Sequence, residues 1–293
     1  MRLIALLLVA VSLVGQSTNR LRDNIDRITR SLNAQWGIYV KCLDTGEEIA
    51  INADRQMETM STIKIPLMVE TFRQIDEGKF RLDDRVTIRE DDKRPGTGIM
   101  RSLDAGAVMT IKDVLTLMNI VSDNTATDIL FAKVGGPEPV NRLMESYGLK
   151  SIRATGPTST WFAALRAATS REEFHKAGKT PFGLSSPREM GQLLERIATG
   201  KAVSEKASAL MMQMLRGQVY STRLPKYVTG FTVAHKTGDF LPFVADDVGV
   251  FESPTRRLIV CVFTSGHTGV GAYLEDAIAR IGELIANHFA PKQ

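Results

Sequence analysis

The sequence predicts an α+β fold: one antiparallel five-stranded sheet flanked by N- and C-terminal helices, with an all-helical subdomain inserted into it. Three observations lead there. Runs with strand patterning occur only towards the two ends of the chain, in 36–52 and 230–263. Between them, from Ser61 to about residue 217, apolar residues recur at helical spacing. An amphipathic helix stands before the first strands and another after the last. Strands from both chain ends must then meet in one sheet, because no isolated hairpin buries enough apolar surface to stand alone.

The start, "MRLIALLLVAVSLVGQS", has one cation, Arg2, then an apolar core from Leu3 to Val14, then small and polar residues. This order reads as a secretory signal peptide over 1–16, too short to span a bilayer comfortably. A retained N-terminal anchor is the alternative. No cysteine follows the run closely enough for a lipoprotein. The mature protein is expected to be periplasmic or secreted, with no membrane span after signal removal.

The next stretch, "STNRLRDNIDRITRSLN", places Leu21, Ile25, Ile28 and Leu32 near helical spacing. "WGIYVKCL", the turn "DTGE" and "EIAIN" form a hairpin pattern. Thr110 and Asp113 make a capping box ahead of "VLTLMNIV", and Ser186–Pro187–Arg188–Glu189 opens a helix that Gly200 closes. Strand patterning returns in "GFTVAHK", "DVGVFE" and "RLIVCVF", and "YLEDAIARIGELIANHF" is an amphipathic helix. The expected division is an α/β subdomain of 17–56 and 218–293 and a helical subdomain of 57–217. A cleft between the two is where a site belongs.

With 43% apolar and 24% charged residues among 293, the composition is that of an ordinary globular enzyme. The net charge of +4 is spread along the chain without a basic run, which argues against nucleic acid as a partner. Cys42 and Cys261 both lie in strand patterns; a disulfide and two buried thiols are both open. Two cysteines without neighbouring histidines make no metal site. His175, His235, His267 and His288 are scattered and read as structural or surface residues.

Three short motifs carry chemistry. In "STIK", Ser61 stands at a helix start with Lys64 at i+3 on the same face. A serine is a poor nucleophile until a neighbour takes its proton, and a lysine can do so only when burial or a nearby cation lowers its pKa. The apolar run "IPLMV" supplies the burial, and free N–H groups at a helix start can stabilise an oxyanion. The second motif, Ser122–Asp123–Asn124, closes an apolar helix, where three polar side chains need partners. The third, Lys236–Thr237–Gly238, ends a predicted strand; it offers a cation, a hydroxyl and room for close approach. His235 should point to the opposite face from Lys236. Taken singly, each is an ordinary cap or turn.

Together, in this order and on these elements, the three motifs resemble the set Ser-x-x-Lys, Ser-Asp-Asn and Lys-Thr-Gly of class A β-lactamases and penicillin-binding proteins. "RPGTGIM", "LMNIVSDNTATDIL", "RLPKY" and "AHKTGDF…DDVGVF" extend the resemblance over nearly the whole mature length. It implies that Ser61 is the acylated nucleophile and that Lys64 takes its proton, directly or through water. Ser122 would relay the proton to the leaving nitrogen, and Asn124 would bind the substrate's amide side chain. Lys236 and Thr237 would hold the substrate carboxylate, with Lys236 keeping the pKa of Lys64 low. Gly238 would line the substrate site, and the N–H groups of Ser61 and Asp239 would form the oxyanion hole. Arg223 is a further candidate for the substrate carboxylate. The implied substrates are β-lactams or D-alanyl-D-alanine peptides, the implied state is a monomer, and no metal or cofactor is called for.

One part of the pattern is missing. The family's water-activating glutamate stands in a Glu-x-x-x-Asn spacing after the Ser-Asp-Asn helix. No such pair occurs in 151–190, where Glu172 and Glu173 are the only carboxylates before Pro181. The stretch "SREEFHKAGK" reads as an exposed helical turn. The leading expectation is therefore a β-lactamase-like acyl-transfer enzyme. The alternatives are a D-alanyl-D-alanine peptidase or penicillin-binding protein with slow deacylation, and a non-catalytic sensor of the same fold.

Overall fold

The computed structural model describes residues 18–178 and 181–290, so the expected signal peptide lies outside the described residues. The chain opens with helix α1 (18–30), followed by strands β1 (Gln35–Cys42) and β2 (Glu48–Ile51). After β3 (Met57–Glu58) come α2 (Lys64–Asp76), β4 (Arg85–Thr87) and β5 (Val108–Thr110). Helices α3 (Ile111–Ile120), α4 (Asn124–Val134) and α5 (Pro137–Ser146) precede β6 (Arg153–Ala154). Then follow α6 (Thr158–Ala167), α7 (Arg171–Ala177), β7 (Gly183–Ser185), α8 (Pro187–Ala198) and α9 (Glu205–Arg216). Strands β8 (Thr232–Phe240), β9 (Val244–Glu252) and β10 (Arg257–Ser265) lead to α10 (Gly271–Phe289).

The main sheet has the order β2-β1-β10-β9-β8, with every pairing antiparallel. It is the five-stranded sheet expected from the two chain ends. The stretch between is mainly helical but also carries five short strands, in sheets β3-β7-β6 and β4-β5. Two- and three-residue strands leave almost no periodicity to read, which is why the sequence does not announce them.

Alternation along the strands divides the core. Ile38, Val40, Leu258, Val260 and Val262 face α1 and α10, meeting Leu21, Ile25, Leu274 and Ile281. Tyr39, Ile259, Cys261 and Phe263 face the helices of the inserted stretch. Cys42 belongs to the first set and Cys261 to the second, and both are free and buried. In the register Tyr39 opposes Cys261 while Cys42 opposes Leu258, so the two thiols point to opposite faces and cannot join.

Strand β8 is longer than the sequence suggests. Lys236, Thr237 and Gly238 do not end it; pairing with β9 runs on through Asp239 opposite Ala245 to Phe240 opposite Val244. As an edge strand it leaves one row of backbone groups free, and this edge runs beside Ser61.

Candidate active site

Ser61 lies not in the α-helix itself but in a 3-10 turn, Met60–Ile63, and Lys64 is the first residue of α2. The turn is set by Thr62 N–H donating to the Thr59 carbonyl at 2.9 Å. In a 3-10 turn, residues i and i+3 eclipse one another, so Ser61 and Lys64 remain aligned. Met60, just before the serine, has φ +42, and Ser122 has φ +53. Left-handed backbone at two non-glycine residues costs of order 1–3 kcal/mol each and is held only by the surrounding packing.

Gly238 is the reason the sheet edge approaches so closely. A Cβ there would lie 2.5 Å from the Thr59 carbonyl oxygen and 3.0 Å from Ser61 N. No side chain fits between β8 and the turn. The edge backbone around Asp239 and the Ser61 amide are thus brought to one place.

Asp123 joins α3 to α4. One carboxylate oxygen accepts from Ala126 N–H at 3.0 Å, capping α4. The other accepts from Ile99 N–H at 2.7 Å and Met100 N–H at 2.8 Å, tying down the "RPGTGIM" loop. That leaves Ser122 and Asn124 on either side, facing Lys64. Lys64 Nζ donates to the Ser122 carbonyl (2.7 Å) and Asn124 Oδ1 (2.9 Å), and lies 3.0 Å from Ser122 Oγ. Asn124 Nδ2 donates to the Pro95 carbonyl at 2.9 Å, which fixes its amide orientation. Lys236 Nζ donates to the Thr237 carbonyl at 2.8 Å and also lies 3.0 Å from Ser122 Oγ.

Both lysines are fully buried. Burial, aided by the Lys236 charge, drives the pKa of Lys64 well below the usual lysine range. Burial lowers Lys236 to about 7, against the opposing pull of Asp239 and Asp247. Lys64 Nζ is the donor in three contacts, to the Ser122 carbonyl, Asn124 Oδ1 and Ser122 Oγ. Charged Lys236 then donates to the same Ser122 oxygen.

A cavity of about 350 Å³ opens on this cluster, lined among others by Ser61, Asn124, Thr158, Trp161, Phe162 and Asp239. Trp161 makes edge contacts with Phe162, Phe174 and Phe240, with centroids 5.0 to 5.2 Å apart. These rings lock α6 and α7 to the end of β8. Arg171 stacks over Phe240, 4.6 Å from the ring centroid, and donates to the Leu241 carbonyl at 2.8 Å.

Of the expected site residues, Ser61, Asn124 and Asp239 line the cavity, while Lys64, Ser122 and Lys236 form the hydrogen-bonded cluster beside it. Thr237 is buried and lends its carbonyl to Lys236. His235 turns to the other face of β8, its Nδ1 2.8 Å from Asp247 Oδ1. Glu172 and Glu173 do not line this cavity; both are exposed on α7, with Glu172 paired to Lys176 at 2.6 Å.

Thr158 and Asp128 lie outside the three sequence motifs. Asp128 accepts from Thr158 N–H at 2.6 Å and Ser159 N–H at 3.1 Å, so a buried carboxylate anchors the start of α6. Thr158 is 2% exposed, lines the cavity, and its Oγ1 has no hydrogen-bond partner among the described residues. The available signal was a carboxylate four residues after Asn124, hence on the same helical face.

Comparison with known proteins agrees with this geometry. Residues 20–289 match the family described as the β-lactamase enzyme family. The β-lactamase VEB-1 of Pseudomonas aeruginosa is 24% identical over 291 residues, covering 94% of this chain and 92% of that protein. A β-lactamase structure from Sphaerobacter thermophilus is 28% identical with TM-score 0.78, covering 92% of this chain and 98% of that one. A single-residue mutant of PBP-A, solved as an acyl-enzyme complex with penicillin G, is 26% identical with TM-score 0.78, covering 93% and 96%. With a match that spans most of its length and a five-stranded sheet whose edge runs past Ser61, the chain belongs to the β-lactamase enzyme family and is a serine hydrolase of β-lactamase type.

Proposed function

We propose that the chain is an exported hydrolase that opens β-lactam rings through an acyl-Ser61 ester and releases the opened product slowly. The observation that carries this reading is the Ser122 hydroxyl held 3.0 Å from both Lys64 Nζ and Lys236 Nζ, beside the cavity that Ser61 lines. Neutral Lys64 takes the Ser61 proton, directly or through one water, as Ser61 Oγ adds to the amide carbonyl. The N–H groups of Ser61 and Asp239 receive the oxyanion. The proton then passes from Lys64 through Ser122 Oγ to the ring nitrogen as the C–N bond breaks. Asn124 orients the substrate's side-chain amide, and Lys236 and Thr237 receive its carboxylate.

Slow release is supported by the cavity's chemistry. Hydrolysis of the ester needs a base within reach of a water. Asp239 is the one carboxylate among the cavity-lining residues, and it is drawn towards Arg223. Thr158 offers only a neutral hydroxyl.

The same lack of a water-activating carboxylate favours a second reading, a D-alanyl-D-alanine peptidase acylated by β-lactams; a single-residue mutant of the similar protein PBP-A was solved as an acyl-enzyme complex with penicillin G. Mixing the protein with a chromogenic cephalosporin while following absorbance and intact mass decides. Slow continuing turnover through a transient adduct supports the first reading. A single-turnover burst with a lasting adduct supports the second, and no adduct removes both. Export is supported by the apolar run after Arg2, and among the described residues no helix is long and apolar enough to cross a membrane. A secreted mass lacking about the first 16 residues is the expected result.

A further inference from the structure

From Lys236 onward, the free edge of β8 runs between two cations. Lys236 and Thr237 come first, Gly238 follows against the Ser61 turn, and Phe240 closes the strand with Leu241 beyond it. Thr237 and Phe240 are roughly 10 Å apart along the strand, and Ser61 stands beside the edge between them. The first end receives the substrate carboxylate in the reading above. Arg171 occupies the other.

Arg171, at the start of α7, is exposed and is the one cation among the cavity-lining residues. It stacks over Phe240, 4.6 Å from the ring centroid, and Nη2 donates to the Leu241 carbonyl at 2.8 Å. These contacts hold the guanidinium at the cavity wall and leave its charge without a counter-ion. Among the described residues no carboxylate pairs with it. Glu172 is taken by Lys176 at 2.6 Å, and Asp239, the cavity's carboxylate, lies 3.4 Å from Arg223. An arginine fixed in place with most of its N–H groups free is suited to a bidentate carboxylate.

The wall between Asn124 and Arg171 is apolar. A Cβ on Gly96 would lie 2.7 Å from Asn124 Nδ2 and 2.8 Å from Phe162 Cζ, so the Phe162 ring begins where the Asn124 amide ends. Trp161, Leu165, Phe182 and Phe240 continue the lining. An acyl chain leaving the amide that Asn124 orients therefore meets rings first and a guanidinium after them. We propose that Arg171 sets specificity on the acyl side: it receives the terminal carboxylate of donors whose acyl chain is an apolar stem ending in that charge. Such a donor is anchored at both ends, by Lys236 and Thr237 and by Arg171, with its reacting carbonyl at Ser61. The role rests on the acyl-Ser61 reading above.

The test compares two penicillins, one acylated with hexanoic acid and one with adipic acid, whose side chains differ only in ending on a methyl group or a carboxylate. Second-order rates of Ser61 acylation are read by intact mass, at low and high salt, for the wild type and for Arg171→Met and Arg171→Lys. In Arg171→Met the ratio of the adipoyl rate to the hexanoyl rate is expected to fall about fivefold, the upper end of what a partly exposed ion pair contributes. Arg171→Lys should keep most of the ratio, and in the wild type added salt should lower it by screening the attraction. An unchanged ratio in Arg171→Met, or one indifferent to salt, overturns the role. An equal fall in Arg171→Lys also overturns it, because the loss then comes from a displaced α7 and not from charge. If the wild type is acylated by neither compound, the acyl-Ser61 reading itself fails; acylation by the hexanoyl compound with an unmoved ratio sinks the Arg171 role alone.

Discussion

Lys64 and Lys236 share one hydroxyl: the Nζ of each lies 3.0 Å from Ser122 Oγ, and neither ammonium reaches solvent. Two charges so close, both out of water, repel strongly, so one proton is lost. Lys64 is the one assigned to give it up, because burial and the charge of Lys236 both push its pKa down. Burial at the start of an apolar helix is what suits Lys64 to act as a base.

Replacing Ser61, the proposed nucleophile, or Lys64, the proposed base, separates chemistry from folding. Ser61→Ala should abolish the covalent adduct while the thermal transition stays in place. Lys64→Ala should slow acylation by about 10²- to 10⁴-fold, the usual worth of a positioned proton acceptor. Stopped-flow mixing with a chromogenic cephalosporin measures both, and an unimpaired rate in either variant assigns its role to another residue.

Acylation should depend on pH with a definite sign. The charged form of Lys236 is present below its pKa of about 7 and is lost as pH rises through that value. The neutral form of Lys64 is lost as pH falls through its own depressed pKa. The second-order acylation rate of the free protein should thus trace a bell with its alkaline limb near 7. In Lys236→Arg the charge persists to beyond pH 12, so that limb should move out of the measurable range. A limb that stays put belongs to another group.

Thr158→Glu should speed release of the acyl group. The substitution places a carboxylate at a position that lines the Ser61 cavity and whose backbone is held by Asp128. A gain of about 10²-fold in deacylation is expected from a positioned general base, read as the decay of the adduct by mass spectrometry. Unaltered decay would show that water does not reach the ester from this side.

Asp123→Ala should be costly to the fold. It strands the N–H groups of Ile99, Met100 and Ala126, two of them in fully buried residues. A loss of roughly 3–5 kcal/mol follows from unpaired buried donors, measurable by urea unfolding. A loss below 1 kcal/mol would mean that water replaces the carboxylate.

Much of the architecture was legible because it rests on patterns that act locally. Strand patterning in β1, β9 and β10, the Thr110–Asp113 capping box and the Ser186 cap are each spelled out by neighbouring residues. The motif residues were legible as types at fixed spacings, but their mutual distances were not. The turn holding Ser61 depends on β8, more than 170 residues away in sequence, pressing Gly238 against it. Strand β8 continues past Gly238 because β9 offers partners up to Val244, and turn-like composition says nothing of partners. Thr158 was invisible for a similar reason. A threonine in "GPTSTW" acquires meaning only when Asp128 fixes its amide and the aromatic rings of α6 and α7 close around it.

Cys42 and Cys261, back to back across one sheet, have a practical meaning beyond packing. No covalent staple waits to be formed, so the fold owes nothing to the redox poise of its surroundings. Thiol reductants should leave it intact, and the chain from residue 17 onwards should fold as well in a reducing medium as in an oxidising one.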